Sequence, residues 1–149
     1  MNAYLDTSVL IKSYVAEQDS PVADALILQL SEPIPFTHLH AIEIRTALRV
    51  KCGRGEISAS ELRSALADLQ EDIDSGVLDR TAYESPSVFH KAEELSAKYA
   101  AVTLARSLDI LHVASAVVLG AKEFITFDTR QASLASKAGL TLRPRPTPP

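Results

Sequence analysis

The sequence predicts an α/β fold in three layers, with a central parallel sheet of about five short strands between helices on both faces. Three observations lead there. Short runs of strand-forming residues alternate with longer stretches of helical apolar spacing along the 149 residues. Neither an internal repeat nor a linker breaks that alternation, so residues 1–143 read as one domain followed by a proline-rich tail, 144–149. Two strands end on an aspartate, Asp6 and Asp128, where a helix begins. In open α/β sheets, ligands bind beyond the carboxyl ends of the strands.

Composition narrows the function. Hydrophobic residues make up 46% and charged residues 23%, an ordinary globular balance with enough chain for a core. The single cysteine, Cys52, excludes a disulfide framework and a cysteine-based zinc site, and it fits a reducing cytoplasm. Asp6 and Lys12 interrupt the N-terminal apolar run before a signal peptide forms. No apolar stretch approaches the roughly 18 residues of a membrane span. The formal net charge of −4 does not announce a nucleic-acid partner. Such a partner would need a local basic patch, or metal ions that turn an acidic site into a phosphate site.

The elements follow in order. Tyr4-Leu5 suits a buried strand, and Asp6 stands at its end with Thr7 or Ser8 as the next helix cap. Val9, Leu10, Ile11, Tyr14 and Val15 make a short amphipathic helix. Ser20-Pro21 reads as cap and first helical residue of a second helix, stopped by Glu32-Pro33. Residues 34–37 form a strand whose Pro35 suggests an edge or entry position. A helix follows from His38 to Lys51 and ends at Gly53 and Gly55. Ser58 and Glu61 fit a capping box before the stripe of Leu62, Leu66, Leu69 and Ile73. Val77-Leu78 is a further strand, and Ser85-Pro86 opens the next helix. Residues 107–120 are apolar on nearly all sides, which predicts a central buried helix. A strand over 123–128, a short helix over 129–137 and a last strand over 140–142 complete the domain. The tail from Arg143 reads as loosely held.

Parallel strands carry their carboxyl ends to one rim, so Asp6 and Asp128 can meet. Asp109 opens the most apolar helix, where an unpartnered acid is expensive. Glu43 lies between Ile42 and Ile44, an unusual flank for a merely solvated acid. Singly, each has a plainer reading. Asp6 or Asp128 can cap a helix, Asp109 can answer the helix dipole, and Glu43 can face solvent. Converging carboxylates repel one another, and a divalent cation relieves that repulsion. Hard oxygen ligands favour Mg²⁺ or Mn²⁺, which can bind a phosphodiester oxygen and activate water.

Four segments together resemble the PIN domain, specifically the short VapC-type toxins of bacterial toxin–antitoxin pairs. They are residues 4–11 around Asp6, 43–48 from Glu43, 109–116 from Asp109, and 126–130 around Asp128. The resemblance covers almost the full length and implies a metal-dependent endoribonuclease in which Asp6, Glu43, Asp109 and Asp128 hold Mg²⁺ or Mn²⁺. It implies cleavage of RNA, with tRNA or rRNA as substrates, by metal-activated water. It further implies a homodimer neutralised by a cognate VapB-type antitoxin, with the helices between Ser58 and Gly76 as the region used for partner binding. The tail after Arg143 is not part of the pattern.

Around the acids, Thr7, Ser8 and Thr126 resemble hydroxyl positions that orient the carboxylates or water; for Thr7 and Ser8 the alternative is helix capping. Arg130 reads either as a phosphate contact or as a surface arginine. His112 shares a helix face with Asp109 and is expected to be packed or substrate-side rather than a metal ligand. His38 and His40, just after the second strand, could reach RNA, but surface placement is the expectation. Arg45, Arg49, Lys51 and Arg54 are the densest basic cluster, either a phosphate-positioning patch or a solvated face. Two other classes compete. A haloacid-dehalogenase-type phosphatase also begins with a strand ending on Asp, but it wants an acid where Ser8 stands. A catalytically silent PIN-like domain would bind RNA or a partner only, and retention of all four acids argues against it.

Overall fold

The computed structural model describes residues 2–145, so the last four positions of the proline-rich tail lie outside the described residues. The described chain runs β1 (Ala3–Leu5), α1 (Thr7–Ile11), α2 (Ser20–Leu28), β2 (Ile34–Phe36), α3 (His38–Gly53) and α4 (Ala59–Asp74). It continues β3 (Leu78–Arg80), α5 (Ser85–Thr103), α6 (Ser107–Val118), β4 (Glu123–Ile125), α7 (Thr129–Lys137) and β5 (Thr141–Arg143). All five strands lie parallel to their partners, three in the ladder β1-β4-β5 and two in the ladder β2-β3. The chain divides into two compact units, one made of the residues through Asp6 and from Ala82 onward, the other of Thr7–Thr81. Among the described residues no helix is long and apolar enough to cross a membrane.

In the first unit β4 is the middle strand, with Tyr4 opposite Phe124 and Phe124 opposite Leu142. Parallel strands covered on both faces need apolar residues at consecutive positions. Tyr4, Leu5, Phe124 and Ile125 meet that need, and all four are fully buried. The Tyr4 and Phe124 rings stack, centroids 5.7 Å apart and 11° from parallel. From α6, Val113, Ala114 and Ala116 join the same core, as do Leu95 of α5 and Leu134 and Ala135 of α7. The expected central buried helix is therefore α6, and its alanines permit close packing. Gly139, at φ 89°, turns the chain from α7 into β5, a backbone region that L-residues avoid.

Several boundaries shift. The strand expected over 123–128 stops at Ile125: the Thr126 N–H makes a last ladder bond to the Arg143 carbonyl at 3.1 Å, and the chain then turns to cap α7 with Asp128. Arg143, expected in the loose tail, belongs to β5 and pairs with Glu123 at 3.3 Å.

In the second unit Ile34 lies opposite Leu78, and α3 packs on both α1 and α4; Ile44 and Leu48 of α3 and Ala65 and Leu69 of α4 are buried. The Ser58–Glu61 capping box is formed on both sides, with Ser58 N–H to the Glu61 carboxylate at 2.6 Å and Glu61 N–H to Ser58 Oγ at 3.0 Å. For α2 the N-cap is Asp19, at φ 66°, so Ser20 and Pro21 are already helical. Tyr14 donates to Asp72 at 2.6 Å and ties the turn after α1 to α4.

Glu17 accepts from Lys12 at 3.1 Å and pairs with Lys51, which also reaches Glu56 at 3.3 Å. Burial pushes the Glu17 carboxyl up, and the hydrogen-bonded Lys51 and Lys12 ammoniums more than reverse it, so its pKa falls below the usual range. A carboxyl lowered by folding stabilises above its unfolded pKa, about 4.3, and loses that contribution as pH drops through the folded value. Glu17→Gln is therefore expected to lose less stability than wild type between about pH 5 and 3. Urea denaturation at each pH checks this; parallel acid limbs would show the pair contributes nothing.

Candidate active site

Asp6 is the first residue after β1, and its N–H continues the ladder to the Ile125 carbonyl at 2.9 Å. The carboxylate is thereby fixed at the carboxyl end of the sheet, on a residue only 8% exposed. Its Oδ1 accepts from the Gln131 side-chain amide at 3.3 Å. Gln131 is fully buried, and its Oε1 accepts from the Thr126 hydroxyl at 2.8 Å. Asp128 sits three residues beyond β4, exposed, as the N-cap of α7. Its N–H donates to Thr126 Oγ1 at 3.0 Å and its Oδ1 accepts from the Gln131 N–H at 2.9 Å. One connected network of hydrogen bonds thus runs from Asp6 through Gln131 and Thr126 to Asp128. Thr126 was expected near the acids from the sequence; Gln131 was not.

Asp109 is half-buried in the first turn of α6, and its Oδ2 accepts from the Arg106 N–H at 3.1 Å. It therefore caps its helix with one oxygen. His112, one turn on, is buried, with Nδ1 2.8 Å from the Tyr4 hydroxyl. Of the readings open to it, packing is the one observed. Arg130 is exposed in the first turn of α7.

In the second unit, Glu43 is half-buried on α3 and its Oε1 accepts from the Thr7 hydroxyl at 2.9 Å. Thr7 immediately follows Asp6 in the chain, so a single peptide step joins one candidate acid to the holder of another. Of the two aliphatic neighbours of Glu43, Ile42 is 62% exposed and Ile44 is fully buried. Ser8 is exposed. Arg45 is half-buried and reaches Gln70 of α4 at 3.4 Å, Lys51 is engaged by Glu17 and Glu56, and Arg49 and Arg54 are exposed. His38 is exposed as expected, but His40 is not at the surface: it is fully buried, stacks on Phe36, and completes a capping box in which Nδ1 accepts from the Thr37 N–H at 3.1 Å. A local capping contact turned this histidine inward.

Among the described residues, neither unit gathers three His, Cys, Asp or Glu side chains into a ready-made metal cage. Every buried side-chain nitrogen and oxygen described has a hydrogen-bond partner. The fit to a cation therefore rests on the donor set. Asp6, Asp109, Asp128 and Glu43 offer hard oxygens, which suit Mg²⁺ or Mn²⁺. Asp109 and Asp128 form no ion pair among the described residues, and each meets a main-chain N–H through one oxygen. Their charge is answered by dipoles and not by a lysine or arginine, which is compatible with a cation ligand.

The PIN domain family matches the sequence over residues 3–137. Among solved structures, the chain is similar to one described as the crystal structure of FitAcB from Neisseria gonorrhoeae. The match has a TM-score of 0.62 and 15% identity, and covers 94% of this chain and 95% of that one. At that identity the likeness concerns the fold. No curated protein sequence shows significant similarity to the chain.

Proposed function

The chain belongs to the PIN domain family, and from that premise we propose that it is a divalent-cation-dependent endoribonuclease, the VapC-type toxin of a type II toxin–antitoxin pair. The observation that carries the proposal is the buried Asp6 carboxylate at the end of β1, linked through Gln131 to Asp128 and followed in the chain by the threonine that holds Glu43. Asp6, Glu43, Asp109 and Asp128 would hold the ion. When bound, Mg²⁺ or Mn²⁺ supplies Lewis-acid activation of water and neutralises charge at the scissile phosphate.

The residues around it orient and position. The Thr7 hydroxyl holds one Glu43 oxygen, and the main-chain donors at Arg106 and Gln131 hold one oxygen each of Asp109 and Asp128. Ser8 and Arg130, both exposed, are the residues assigned to substrate water and phosphate. The substrate is RNA, with tRNA or rRNA as the class to test. The working form is a cytoplasmic homodimer, and its partner is a VapB-type antitoxin whose C-terminal segment covers the acids.

Purified protein incubated with tRNA and with rRNA is expected to cleave in Mg²⁺ or Mn²⁺, to stop in EDTA, and to fall at least about 100-fold with Asp109→Asn. Equal cleavage by wild type and variant would identify a contaminant. Hydrolysis of small phosphomonoesters in place of RNA would move the chain to the phosphatase class.

A further inference from the structure

We infer that Gln131 is a positioning residue that sets both Asp6 and Asp128 for the cation. The inference rests on the metal reading above and gives a role to the Gln131 side chain, which that reading does not count among the groups that hold the ion. Asp128-Thr129-Arg130-Gln131 has the spacing of a capping box, in which the fourth side chain normally folds back onto the N-cap N–H. Only half of the box is made. The Gln131 N–H bonds Asp128 Oδ1, but the Asp128 N–H is taken by Thr126 Oγ1. The Gln131 side chain is thereby released from capping and turned inward, fully buried, to Asp6.

The amide orientation follows from donor counting. An ionised carboxylate only accepts, so the atom of Gln131 facing Asp6 is the NH₂ group. Its oxygen therefore faces Thr126 and accepts the hydroxyl proton, while Thr126 Oγ1 accepts from the Asp128 N–H. One residue thus donates to both acids, from its main chain to Asp128 and from its side chain to Asp6. A neutral amide can fix a carboxylate without neutralising it, which leaves the charge for a cation. An arginine or lysine there would compete with the metal.

The test is Mn²⁺ affinity, read by electron paramagnetic resonance of free Mn²⁺ on the full chain. Gln131→Met keeps the length and removes the amide; binding is expected to weaken about 10–100-fold. Thr126→Val, which removes the hydroxyl that orients the amide, is expected to weaken it in the same range, and Thr126→Ser to retain wild-type affinity. The double variant Thr126→Val/Gln131→Met is expected to lose less than the sum of the two single losses, because the two side chains share the Thr126–Gln131 contact. Wild-type affinity in Gln131→Met, with or without a lower melting temperature, would overturn the inference and leave the metal reading standing. Should Gln131→Met fail to fold, equal affinity in Thr126→Val and Thr126→Ser would overturn it. Wild type that binds no Mn²⁺ removes both.

Discussion

Asp6→Asn is expected to lower RNA cleavage on the order of 10³-fold while leaving the fold in place. A metal-ligating carboxylate contributes several kcal/mol of charge stabilisation, and each 1.36 kcal/mol is about tenfold in rate. The stability side is separable. An asparagine at this position still offers a side-chain oxygen to the Gln131 amide, and its N–H still reaches the Ile125 carbonyl. Single-turnover cleavage gives the first quantity and circular dichroism the second. A folded Asp6→Asn that cleaves at the wild-type rate would show that Asp6 serves only the end of the strand. Asp128 needs a different variant. Its Oδ1 caps α7, so Asp128→Ala is expected to cost about 1 kcal/mol in addition to any loss of activity. Asp128→Asn keeps an acceptor and isolates the charge.

Phe124→Ala is expected to give the largest loss of stability, about 3–5 kcal/mol. Phe124 lies on β4, the middle strand of its ladder, is fully buried, and stacks on Tyr4 of β1. Removing the ring leaves a cavity in the core that Phe124 shares with Tyr4 and with residues of α5, α6 and α7. Domains of this size have roughly 5–15 kcal/mol in total, so about a fifth or more would be lost. Because Asp6 is carried on β1, the neighbour of β4, activity should fall at temperatures where the variant still has helical signal. Urea denaturation measures the change; a loss under about 1 kcal/mol would mean that the ring is not the core residue its burial implies.

The readable part of this fold was its periodicity. Tyr4-Leu5 and the run over 123–128 marked strands, the Ser58–Glu61 spacing marked a helix start, and the stretch 107–120, apolar on nearly all sides, marked a central helix. Asp6 was legible because a strand end next to a cap is a local pattern. Gln131 was not. Its spacing from Asp128 points to an ordinary cap, and only the three-dimensional position of Thr126 diverts it toward a carboxylate 125 residues earlier. His40 misled for a related reason: a polar residue beside a strand looks solvated until the Thr37 main chain takes its ring. Glu43 was picked out through its neighbours Ile42 and Ile44, of which only Ile44 is buried, whereas a partner of its carboxylate is Thr7, 36 residues away. Local spacing reports helices and strands; it does not report which buried polar group will satisfy which other.

The most direct measurement is the anomalous difference map of crystals soaked in Mn²⁺. The expected result is a peak with a carboxylate oxygen of Asp6 at coordination distance, about 2.1 Å, and with Asp109, Asp128 or Glu43 bound directly or through water. A map with no peak at Asp6, or with Mn²⁺ held only by acids outside these four, would contradict a cation site built on the first strand.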